Sequence, residues 1–137
     1  MDEQFMKIAL KQAQKALKHN EVPVGAIIVK DGKIISKAYN KKERKHDVTK
    51  HAEILVISKA CKKLKNWRLE ECILYTTMEP CMMCAGAIEQ SRIAKVVYGA
   101  KNDNYGFSKN LNSVKIISQA CDQECKKLIQ LFFKKRR

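Results

Sequence analysis

The chain contains no run of eighteen apolar residues, so it lacks a segment long enough to cross a bilayer as a helix. Its start, MDEQFMKIALKQAQ, opens on acidic residues and mixes Lys with apolar positions, unlike the basic-then-apolar order of a secretory signal, and a cytoplasmic location is expected. Glycine and proline are scarce, five and two in 137 residues, which leaves no composition for a flexible linker or a long disordered stretch. One folded domain over residues 1–137 is therefore expected, burying about two thirds of its unfolded surface in one core. Acidic residues are few as well. Fourteen Asp and Glu stand against 28 Lys and Arg, a formal net charge of +14, and the resulting field attracts polyanions such as nucleic acid. A Lys-rich surface of biased composition would give the same count, so charge needs a site to support it. The six cysteines do not form a disulfide framework: two make a CxxC beside a proline and the others are scattered through apolar segments, which fits reduced thiols and one metal site.

What is present is an alternation of helical and strand patterns. Phe5, Ile8, Ala9, Gln12, Ala13, Ala16 and Leu17 recur at helical spacing, predicting an amphipathic helix over 2–19. Strands are predicted over 24–29 and 33–39, joined by the Asp31-Gly32 turn signal as an antiparallel hairpin. A polar loop over 40–48 leads to Thr49, read as the cap of a helix running to about Ala60 with His51 in its first turn. A strand over 72–76 follows, then Pro80 as the first position of a helix covering 81–89. Strands over 94–99 and 114–118 and a last helix over 121–135, burying Leu128, Leu131 and Phe132, complete the pattern. This order implies an α/β fold of three αβα layers, with a central mixed five-stranded sheet carrying a hairpin at one end, parallel strands elsewhere and helices on both faces.

His51, Cys81 and Cys84 are the residues that carry chemistry. Taken singly, such residues are more often a surface histidine and buried thiols. Together they supply three zinc ligands, with Glu53 left over. A structural zinc site takes four protein ligands, whereas a catalytic one takes three and keeps the fourth position for water. Cys81 and Cys84 stand at i and i+3 in the opening of one helix, where the dipole favours thiolates, and His51 opens another. Helix starts gather outside the carboxyl ends of parallel strands, so the three ligands are expected to converge over one crevice. Zinc there would lower the pKa of a coordinated water from about 15.7 toward about 7.

His51-Ala52-Glu53 and Pro80-Cys81-Met82-Met83-Cys84 match the H-x-E…P-C-x-x-C pattern of the zinc nucleobase deaminases. Asn20-Glu21-Val22-Pro23-Val24-Gly25-Ala26, Thr49-Lys50-His51-Ala52-Glu53-Ile54, Met78-Glu79-Pro80 through Ala87 and Ser91-Arg92-Ile93 resemble the bacterial tRNA adenosine deaminases, within the cytidine deaminase superfamily. The likeness runs over roughly residues 5–101 and resumes more weakly from Glu124-Cys125 to the end. It implies a cytidine deaminase-like fold and hydrolysis of the wobble adenosine of a tRNA to inosine, with release of ammonia. It also implies one zinc per subunit of a homodimer, Glu53 as the proton shuttle and Asn40 as a hydrogen-bonding partner of the flipped base. The tRNA anticodon stem-loop is the partner so implied, with no membrane and no other protein. Lys101, Asn102, Phe133, Arg136 and Arg137 are candidate RNA contacts, beside Lys134 and Lys135 in the basic terminus.

Other features have plainer readings. Cys121 and Cys125, at i and i+4, lack a completing histidine or second CxxC and read as core thiols; Met82 and Met83 read as packing. The chain also departs from the family pattern. Gly99-Ala100-Lys101-Asn102 stands where Gly-Ala-Arg-Asp is common, and losing that carboxylate beside a nucleic-acid groove suggests a looser demand on backbone shape. The 105–114 connection is shorter than usual, which leaves the substrate open: a free guanine, cytosine or dCMP deaminase of the same fold shares the zinc pattern. A zinc-stabilised nucleic-acid-binding module without catalysis is the remaining alternative, and it would want a fourth ligand.

Overall fold

The computed structural model describes residues 1–114 and 116–135. Its elements are α1 (Asp2–Lys18), β1 (Gly25–Lys30), β2 (Lys33–Tyr39), α2 (Ala52–Leu64), β3 (Cys72–Met78), α3 (Met82–Ser91), β4 (Lys95–Ala100), a 3₁₀ turn (Ser108–Asn110), β5 (Ile116–Gln119) and α4 (Asp122–Lys135). The five strands form one mixed sheet in the order β2-β1-β3-β4-β5. Among the described residues no helix is long and apolar enough to cross a membrane.

Asp31 and Gly32 take φ of 52° and 75°, the left-handed pair that closes a two-residue hairpin between Lys30 and Lys33. The central strands are apolar on both faces because each face is covered. Ala26, Ile28, Leu74 and Val96 turn toward α2 and α3, packing with Val56, Ala60, Ala85 and Ile88. Ile27, Val29, Tyr75 and Val97 turn the other way, onto Met6, Ala9 and Leu10 of α1 and Cys125 of α4. The period-two alternation of the strands thus divides one sheet between two helical layers.

The expectation of parallel strands beyond the hairpin holds for β3, β4 and β5, but β1 is antiparallel to β3. The crossover from β2 through α2 delivers β3 to the far side of β1, so β1 lies between two strands that run opposite to it. Helix starts also shift. Thr49 does not cap α2, because its N–H and hydroxyl both donate to Asp47 Oδ1 (2.9 and 2.7 Å), and His51 takes the N-cap position. The helix then continues past Ala60 to Leu64, where Lys65 ends it in the left-handed region. Pro80 precedes the α3 N-cap, which is Cys81, instead of opening the helix. The last strand lies at Ile116–Gln119, so Val114 precedes it. Leu131 is 42% exposed, not buried as its spacing predicts, because it lines an open groove between α1 and α4 beside Lys7, Leu10 and Lys11.

α1 closely approaches the start of β1. A Cβ at Gly25 would stand 2.2 Å from the Ala9 carbonyl oxygen and 2.4 Å from the Ala13 nitrogen, both backbone atoms that cannot yield. Gly25→Ala should therefore destabilise the fold by about 3 kcal/mol, the upper range for overpacking, and lower the melting temperature by roughly 10 °C. A thermal melt checks this, and an unchanged midpoint would show that α1 can move aside at no cost.

Candidate active site

The site is built on the starts of two helices. His51, the N-cap of α2, and Cys81, the N-cap of α3, both have extended backbones (φ −72°, ψ 151° and φ −77°, ψ 177°), while Cys84 lies in the first turn of α3. His51 Nδ1 is 3.7 Å from Cys81 Sγ and 3.6 Å from Cys84 Sγ, and the three ligand atoms all lie within 4.8 Å of one another. A tetrahedral ion with bonds of about 2.3 Å to sulfur and about 2.0 Å to nitrogen sets N···S edges of about 3.6 Å. The donor set therefore fits zinc in both chemistry and spacing. Among the described residues no fourth His, Cys or carboxylate joins the group. Cys121 and Cys125 form no such cluster; Cys125 is buried with its sulfur against Gly99.

The three groups share charge. Cys81 is pulled down to about 3, first by the hydrogen bond from the Cys84 thiol and then by His51, so a thiolate stands at the start of α3. His51 is raised chiefly by that same contact with Cys81. Glu53, in the first turn of α2, is 4% exposed, and burial raises its carboxyl to about 7, with His51 pulling the other way. A carboxyl held there can both take and give a proton near neutrality.

These groups open into a cleft of about 280 Å³ that also includes Asn40, Asn102 and Tyr105. Asn40 is buried; its Nδ2 donates to the Val22 carbonyl (3.2 Å) and its Oδ1 accepts the Lys42 N–H (3.2 Å), which fixes the amide orientation in the wall. Asn102 follows the carboxyl end of β4 and lines the same cleft. Lys101 turns into an adjoining shallow cleft with Asp103 and Lys109. Phe133 is 53% exposed on the last turn of α4, edge-on to Phe132, in a neighbouring cleft that shares Val22, Asn40 and Lys42 with the first. Arg136 and Arg137 lie outside the described residues.

Two carboxylates that sequence reasoning left without a role hold the walls. Glu21 is fully buried, and its two oxygens accept the Glu43 and Arg44 N–H groups (2.9 and 2.8 Å), bracing the 40–48 loop. Glu79 accepts the Asn102 N–H (3.1 Å), the Ser108 N–H (3.2 Å) and the Ser108 hydroxyl, bracing the 102–108 loop against the strand that leads to the ligands. The only sequence signal for either was its place beside a proline-containing stretch.

The family model described as MafB19-like deaminase matches residues 1–137. The chain is 42% identical to the tRNA-specific adenosine deaminase of Bacillus subtilis, covering 99% of this chain and 91% of that one. It superposes on a solved structure from work on A-to-I editing by tRNA:A34 deaminases with a TM-score of 0.85 at 36% identity, covering 91% and 98% of the two chains. It is also similar to a guanine deaminase from Bacillus subtilis, with a TM-score of 0.71 at 39% identity over 82% of this chain and 71% of that one.

If Glu79 braces the loop as its bonds indicate, Glu79→Ala should speed amide hydrogen exchange at Asn102 and Ser108 by about tenfold, the loss of roughly 1.4 kcal/mol of local protection, while leaving metal content unchanged. Unaltered exchange at both amides would mean that the loop is held by other contacts.

Proposed function

The chain belongs to the tRNA-specific adenosine deaminases, within reach of the MafB19-like deaminase model along its whole length, and on that premise we propose that it hydrolyses the wobble adenosine of a tRNA to inosine and releases ammonia. The observation that carries this reading is the meeting, among the described residues, of one imidazole and two thiols beside a buried carboxyl that is not needed as a ligand, at an open cleft.

Zinc held by His51 Nδ1, Cys81 Sγ and Cys84 Sγ, one ion per subunit, would supply a Lewis acid that makes water nucleophilic near neutral pH. Glu53 takes the proton of the attacking water, passes it to the ring nitrogen of adenine, and returns a proton to the departing amino group. The balance is one C–N bond broken and one C–O bond formed at the same ring carbon, with water consumed and ammonia released. Asn40, its amide already fixed by Val22 and Lys42, has one N–H and one lone pair left to hold the base. The target base reaches this cleft by leaving the stack of its loop.

Binding of the anticodon stem-loop is supported by the +14 charge and by the position of the α4 end beside the cleft. Asn102 and Phe133 stand where RNA would pass, and Lys101, Arg136 and Arg137 supply charge for its phosphates. Assembly as a homodimer and a cytoplasmic setting complete the reading. The likeness to a guanine deaminase favours one rival, action on a free base in the same cleft.

A single assay separates the two. The zinc-loaded protein should form inosine in an anticodon stem-loop while leaving free guanine unchanged, and Glu53→Ala should retain zinc but lose about 10² to 10⁴ in kcat. Xanthine from guanine without inosine in the hairpin would favour the rival, and full turnover by the variant would remove Glu53 from the chemistry.

A further inference from the structure

After Met1, Tyr105 is the most exposed large apolar side chain among the described residues, at 71%. It is nevertheless carried by a loop that is held at several points. Its own N–H donates to Asn102 Oδ1 (3.1 Å), the next N–H, of Gly106, donates to the Asn102 carbonyl (2.8 Å), and Asn102 is itself held by Glu79. Beyond it, Gly106 bridges to Cys81 and the Phe107 N–H donates to the Pro80 carbonyl (2.9 Å), so the loop is tied to the strand end that bears the metal ligands. Gly106 carries no Cβ because the Glu79 carboxylate fills that space. The exposed Trp67, by contrast, lies outside any cleft named above and carries the Arg68 guanidinium over its ring.

A ring held in water by a braced loop, at the mouth of a cleft that takes a flipped base, has a specific use. We propose that Tyr105 is the platform of a second subsite, one that stacks the nucleobase next to the reacting adenosine in the RNA strand. Extruding the target breaks the stacking of its neighbours, and an aromatic face at the cleft mouth restores it for whichever neighbour is set down there. Such a face accepts any base, so the subsite adds affinity with little sequence demand. Lys101 and Lys109, in the adjoining shallow cleft behind the same loop, are placed for the phosphates of that nucleotide, with Asp103 and Glu79 the opposing charges. The inference rests on the reading of the cleft as an RNA deaminase site.

The test uses zinc-loaded protein and anticodon stem-loops that lack the base on one side or the other of the target adenosine. Tyr105→Ala should raise KM for the intact hairpin about tenfold, equivalent to about 1.4 kcal/mol, with kcat within about twofold. Tyr105→Phe should restore it, and zinc content, melting temperature and sedimentation of the assembly should be unchanged in both. One of the two abasic hairpins should cost the parent a similar factor and cost Tyr105→Ala nothing more, since the two changes remove the same contact. A KM for Tyr105→Ala equal to the parent's would overturn the proposal, as would full additivity with both abasic hairpins or a dissociated assembly. If the parent formed no inosine in any hairpin, the failure would lie in the underlying reading, and RNA would fall as the ligand of this subsite.

Discussion

The chemistry of this protein depends on two helix starts being held within a few ångströms of each other. His51 and Cys81 are N-caps of α2 and α3, and neither helix reaches the other through sequence: thirty residues and a strand separate them. What brings them together is the face of the sheet. Val56 and Ala60 of α2 and Ala85 and Ile88 of α3 are pressed onto Ala26, Ile28, Leu74 and Val96. Both helices thereby begin at the same end of β3, with His51 and Cys81 at their N-caps. A helix start favours negative charge, which suits a thiolate at Cys81 and in the first turn at Cys84.

Glu21 and Glu53 are the only charged side chains buried among the described residues, and their difference in environment divides structural from chemical work. Glu21 is satisfied by two backbone N–H groups across the 40–48 loop and acts as a brace. Glu53 stands against the ligand cluster and the cleft, and its carboxyl is raised toward neutrality by burial. An acid so placed is costly to keep charged, and the cost is consistent with a group used for moving protons. Glu79 repeats the brace on the opposite wall, so both sides of the cleft are held by carboxylates accepting amide protons. A chain with a large excess of cations thus spends several of its few acids on shaping one cleft.

Much of this was legible in the sequence where the determining interaction is local. Asp31-Gly32 marks its own turn because only left-handed residues close it, and the spacing of Cys81 and Cys84 places both sulfurs at one helix start. What is set by distant contacts was not legible. The apolar run of β1 says that both faces are covered, and says nothing of the direction of its neighbour, so the antiparallel pairing with β3 was missed. Thr49 has the chemistry of a helix cap, but Asp47 captures both of its polar groups. Glu21 and Glu79 accept amides more than twenty residues away, and no local pattern announces such a brace. Leu131 follows the periodicity of a core residue but falls on the open groove between α1 and α4.

The proposed chemistry requires that three protein groups, and no more, hold a zinc ion at the cleft. The zinc K-edge absorption spectrum of the purified protein tests it most directly. The spectrum should show two sulfur neighbours at about 2.3 Å, one imidazole nitrogen at about 2.0 Å, and one further light donor supplied by solvent. A shell of three or four sulfurs, or a fourth ligand from the chain, would contradict it, because the position on which the chemistry relies would then be closed.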